Sequence, residues 1–249
     1  MTSGDREHEV WDENLNLPLS LLWSALRRRD QPLACSLVRD DMQDPNQWGP
    51  YDGAPGGGGP ALGYALWWGM EDVVDCLLDA GASTTDEQYG YPLLGLARSE
   101  RSLRRMVQAG ADINAVHPST KTSVLQALAR QDDPDLIVAA LELSADVHHR
   151  NFRRATVLFD AGSVRVAEVL IAAGCDPLAR NDVGSQALFS AVIRGKIDLC
   201  RRLIELGCDP SNIENAPRPR SLVERANQWG HPEIAALLEN AIDDRDVSH

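Results

Sequence analysis

Apolar residues in this chain fall in short four-position stripes, most of them closed by a glycine. The clearest run is Pro60 to Ser83. Ala61, Leu62, Ala65 and Leu66 stand at i, i+1, i+4 and i+5, which is one face of a helix. Gly69 breaks that helix. Glu71 and Asp72 then put negative charge in the first turn of a second, where the helix dipole favours it. Val73, Val74, Leu77 and Leu78 repeat the stripe, and Gly81 predicts a left-handed stop that only a residue without a Cβ takes cheaply. Neither helix is long enough to stand alone in water, so a neighbouring unit must cover the stripe.

Alignment on the stop reveals those neighbours. Gly81-Ala82-Ser83 recurs as Gly110-Ala111-Asp112, Ser144-Ala145-Asp146, Gly174-Cys175-Asp176 and Gly207-Cys208-Asp209. Eight residues before each stop the stripe returns, as in Leu136/Ile137/Ala140/Leu141 and Leu199/Cys200/Leu203/Ile204. First-helix alanines at Ala65, Ala97, Ala127, Ala161, Ala191 and Ala226 lie 32, 30, 34, 30 and 35 residues apart by subtraction. A period of about 33 with two helices per unit is the signature of ankyrin repeats. From Leu15 to Asn240 the chain resembles that family. Its best copies are Gln186-Ala-Leu-Phe-Ser-Ala191 and Ala226-Asn-Gln-Trp-Gly-His231, similar to the family pattern TPLHLAAxxGHxxxVxxLLxxGAD. The resemblance implies an all-α solenoid of six to seven helix-turn-helix units, with short β-finger loops and a concave binding face.

The copies diverge from that pattern. Its histidine position holds Gly63, Gly95, Leu125, Phe159, Phe189 and Glu224, and Asp160 replaces a leucine. Two units are short by three residues between helices: Ala97 to Gly110 and Ala161 to Gly174 span 13, against 16 from Ala65 to Gly81. The expected organisation is a flexible tail over 1–14 and a single array over 15–240, followed by an acidic tail over 241–249. Within the array we expect an amino-terminal cap (15–44), a Gly-rich insertion (44–59), repeats (60–220) and a carboxy-terminal cap (221–240). The insertion reads either as a spacer or as a flap presenting Trp48 and Tyr51 to a partner. It lacks the Gly-Lys-Ser/Thr of a phosphate-binding loop.

Composition narrows the function. The net charge is −13, from 37 acidic and 24 basic residues, which argues against a nucleic-acid surface and favours a basic protein partner. Only Lys121 and Lys196 are lysines; with abundant Ala, Gly and Asp, the arginine bias points to a GC-rich bacterial genome. No apolar run approaches the roughly 18 residues of a membrane span. Nor does the acidic amino terminus resemble a targeting segment. The five cysteines have neither metal nor redox spacing, so each is expected as a small buried hydrophobe and the chain as cytoplasmic.

In ankyrin repeats the variable, partner-facing positions are the β-finger tips and the end of each first helix. That resemblance carries the role onto Trp67, Trp68, Ile193, Arg194, Gln228 and Trp229. On the fingers it selects Gln88, Tyr89, Tyr91, Phe152, Arg153, Asp182 and Val183. Large rigid aromatics dominate interface hot spots, although Trp67 or Trp68 could instead pack on the long loop. No nucleophile, acid–base pair or metal-ligand set stands out, and His148-His149 reads as a solvated finger, so neither metal nor cofactor is expected. The expectation is a non-enzyme, monomeric when free, that binds a protein. It would be an immunity protein for a basic toxin or, alternatively, a regulatory or assembly scaffold.

Overall fold

The computed structural model describes residues 10–12, 17–40, 43–49, 58–86, 91–212 and 220–247. Helix dominates, with twelve α-helices and two 3-10 turns among the described residues against six strands of two or three residues. The chain divides into two compact units, residues 1–111 and 112–249.

In the first unit, the helices α1 (Leu21–Arg28) and α2 (Gln31–Arg39) form one pair, and α3 (Ala61–Trp67) and α4 (Glu71–Asp79) the next. A 3-10 turn, Leu93–Leu96, and α5 (Glu100–Gln108) complete it. First helices pack on first helices and second on second: α1 meets α3 and α3 meets the 3-10 turn, while α2 meets α4 and α4 meets α5. The second unit repeats the scheme with α6 (Val124–Ala129) and α7 (Pro134–Glu142), then a 3-10 turn (Val157–Asp160) and α8 (Val164–Ala172). Two further pairs follow: α9 (Ala187–Ile193) with α10 (Ile197–Glu205), and α11 (Leu222–Gln228) with α12 (Pro232–Val247).

Left-handed residues at two kinds of position set this geometry. Two residues past α4, α5, α7, α8 and α10 stand Gly81, Gly110, Ser144, Gly174 and Gly207, with φ from 67° to 101°. Each stop is tied back by its own amide and the next, as Gly207 N to Ile204 O (2.9 Å) and Cys208 N to Leu203 O (3.0 Å). Ser144 fills the same conformation with a Cβ, at a cost of about 1–2 kcal/mol. Two residues ahead of each second helix that follows an α-helix stand Arg29, Gly69, Asp132, Gly195 and Gly230, again left-handed. The short modules have no such junction. With three residues fewer, Leu93–Leu96 and Val157–Asp160 close only a 3-10 turn. Ala97 and Ala161 then run extended into the serine caps Ser99 and Ser163.

The stripes bury at their first three positions, as at Val73, Val74, Leu77, Leu103, Met106, Leu136, Ile137, Leu170 and Leu203, whereas Val107, Leu141, Ile171 and Ile204 at the fourth are only half-buried. Ala127 is a correction. It is only half-buried, and the junction at Asp132 puts Leu128 in the position that Ala65 and Ala191 fill elsewhere. Between modules the fingers repeat one turn, in which Asp112, Asp146, Asp176 and Asp209 each accept the amide two residues on at 2.8–3.0 Å.

Three further differences stand out. Val10–Asp12 pairs antiparallel with Leu17–Leu19, so the first 14 residues are not all tail. The insertion's ends are tied by a two-residue ladder, Trp48 with Pro60 and Gly49 with Gly59. At the other end α12 continues to Val247 through residues read as an acidic tail, because no helix breaker interrupts Ala235 to Val247. Arg245 from that extension donates to the Cys208 carbonyl at 2.9 Å.

The cysteines also differ. Cys35 on α2 and Cys76 on α4 form a disulfide, their Cα atoms 5.6 Å apart. Packing of α2 on α4 brings the two within bridging range, which a separation of 41 residues does not disclose. Cys175, Cys200 and Cys208 are free and buried, and burial pushes the thiols of Cys200 to about 12 and Cys208 to about 11. Such thiols are unreactive at neutral pH.

Candidate partner-binding surface

Helix α3 buries its first six residues and then exposes two tryptophans, Trp67 at 44% and Trp68 at 37%. They lie where the helix ends ahead of the left-handed Gly69, so no following turn covers them. Beneath Trp68 runs an aromatic column into the core. Tyr64 lies 6.2 Å from the Trp68 ring, and Trp23 meets Tyr64 edge-on at 5.3 Å. Above the two indoles stand arginines from the neighbouring modules. Arg29, at the end of α1, places its guanidinium 4.2 Å over Trp68, and Arg98, ahead of α5, lies 4.4 Å over Trp67. Both rings are therefore surface groups with a cation on one face.

Several of the first unit's carboxylates are paired with other arginines. On α4, Asp72 and Asp75 pair with Arg101 of α5 at 3.2 and 2.5 Å, and Asp79 pairs with Arg105. Trp48 is exposed. Tyr51, Gln88 and Tyr89 lie outside the described residues, and Tyr91 is placed only through its backbone pairing with Asp86.

In the second unit, Phe152 (60% exposed) and Trp229 (54%) are the large exposed rings among the expected positions. Arg153 and Asp182 are exposed, and the fingers carrying them are joined: Phe152 N donates to Thr120 O at 3.0 Å and Asp182 N to Arg153 O at 2.9 Å. Val183 and Ile193 are half-buried. Gln228 is exposed and accepts from Arg220.

Arg194 has a different role from the one its position suggests. Its guanidinium donates to the carbonyls of Phe159 (2.8 Å), Asp160 (3.1 Å) and Ala161 (2.8 Å), capping the short 3-10 turn that would otherwise leave them unsatisfied. The missing helical turn leaves a notch of about 410 Å³ lined by Arg130, Phe159, Asp160, Ser190, Ile193 and Arg194. At its floor Asp160 accepts from Arg130 at 2.8 Å and from Gln126 at 3.3 Å.

Burial pushes the Asp160 carboxyl above its ordinary range, outweighing the opposite pull of Arg130 and Arg194. The same burial lowers Arg194, with Asp160 as the largest opposing influence. A raised carboxyl contributes stability that is complete below its unfolded value, about 4, and lost as the pH rises through the folded one. Asp160→Asn is thus expected to gain stability relative to the wild type as pH rises from 4 to 7, measured by thermal melts at each pH. A variant progressively worse towards pH 7 would mean that the ion pair with Arg130 outweighs burial.

Among the described residues no three His, Cys, Asp or Glu side chains gather as a metal would require. None of the described helices is long and apolar enough to cross a membrane. No protein-family model matches the chain.

Proposed function

We propose that this chain is a run of ankyrin-type repeats acting as a non-catalytic, protein-binding module. The observation that carries the reading is the pairing of a regular helical frame with uncovered rings. Left-handed stops recur two residues past every complete second helix ahead of a finger, and first helices stack on first helices. On that frame Trp67, Trp68 and Trp229 stand exposed at the ends of first helices, and Phe152 at a finger tip. Solvent-facing aromatics are the residues that carry most interface energy.

A net charge of −13 supports the narrower reading of a toxin-neutralising immunity protein, in which long-range attraction speeds the encounter with a basic partner. The test is capture from the source organism's lysate and secretome, with wild-type chain and the Trp67→Ala/Trp229→Ala variant as baits. We expect one basic polypeptide in one-to-one amount on the wild type, at least about tenfold less on the variant, and unchanged melting temperatures. A multi-subunit assembly would instead identify a scaffold. Early unfolding of the variant would make the rings packing residues, and equal capture would move the contact elsewhere.

A further inference from the structure

We infer that the arginine-capped tryptophan pair at the end of α3 is a seat for a short acidic segment of a partner protein, two carboxylates flanking an apolar residue. This rests on the protein-binding reading and adds the chemistry of the contact. Each guanidinium carbon lies within 4.4 Å of an indole centre, and a guanidinium stacked on a ring keeps its in-plane N–H donors available to carboxylates. Among the described residues Arg29 and Arg98 form no ion pair, whereas Arg101, Arg104 and Arg105 of the same unit all do. In a chain with 37 acidic and 24 basic residues, carboxylate partners for those two are not scarce. The stacks leave two cationic edges beside two partly exposed indoles, the complement of an apolar residue between acids.

The local sign is therefore opposite to the sign of the whole chain, and that makes the test specific. The full chain is titrated with a labelled twelve-residue peptide of repeated Glu-Leu-Asp, and separately with its Lys-Leu-Arg counterpart, by fluorescence anisotropy. The acidic peptide is expected to bind saturably despite the net charge of −13. Arg29→Gln/Arg98→Gln should weaken it at least about tenfold, as should Trp67→Ala/Trp68→Ala, without weakening the basic peptide. Arg29 sits in a left-handed junction, so Arg98→Gln alone serves as a second variant if the double one melts early. No saturable binding of the acidic peptide, or equal binding by wild type and arginine variants, overturns the proposal. Failure of the broader reading is separate: a captured partner that binds the arginine variant as tightly as wild type overturns only the acidic seat. Capture of nothing by the wild type counts against the protein-binding reading itself.

Discussion

Leu203→Ala is expected to lower stability by about 2–5 kcal/mol, the range for a large aliphatic side chain removed from a closed core. Leu203 is 0% exposed on α10, which packs against α8, α9 and α12. Its neighbours on the stripe, Leu199 and Cys200, are equally enclosed, so three helices would have to move to fill the space. The informative part is where the loss appears. If each module is held mainly by its sequence neighbours, amide exchange should rise in α9 to α12 and stay unchanged in α1 to α4. Urea denaturation gives the magnitude and hydrogen exchange the location, with Leu33→Ala at an exposed site as the control. A uniform rise over the whole chain would contradict nearest-neighbour stabilisation.

That expectation uses the part of the structure most legible in the sequence. Stripe and stop are local: a period of 3.6 and a left-handed residue can be read within about ten positions. Ser144 was readable as a stop without being a glycine, because it keeps phase with Leu136 to Leu141. The two short modules were likewise legible as deletions, although only the structure turns three lost residues into a 3-10 turn. Ala127 marks the limit: an alanine sits in the expected place, but the left-handed Asp132 shifts the buried position to Leu128.

The site was less legible because its chemistry is supplied by residues from other modules. Arg194 looks like a surface residue until the carbonyls of Phe159 and Ala161, more than 30 positions away, are brought beneath it. The arginines over Trp67 and Trp68 come from positions 98 and 29, and neither belongs to the expected set. Net charge sums a whole chain, whereas Asp72, Asp75 and Asp79 are engaged by Arg101 and Arg105, so it does not report the sign of any one surface.

The disulfide is the largest feature with no local signal, and breaking it should be correspondingly costly. It joins second helices of successive pairs across 41 residues of sequence. Closing a loop of that length restricts the unfolded chain by about 4 kcal/mol in the chain-entropy account, with 2–4 kcal/mol the usual measured range. Cys35→Ser/Cys76→Ser, or reduction of the wild type, is expected to lower stability by that amount in residues 1–111 and to leave α9 to α12 unaffected. The effect should be read by denaturation with and without dithiothreitol. Alkylation tests the bridge itself. In unreduced, unfolded chain Cys175, Cys200 and Cys208 should label while Cys35 and Cys76 do not. Five labelled cysteines would mean two unlinked thiols between α2 and α4, and the loss on reduction would vanish with them. The outcome also bears on compartment, because unpaired cysteines were one ground for expecting a cytoplasmic protein, and a bridged pair at this separation is a feature that oxidising surroundings preserve.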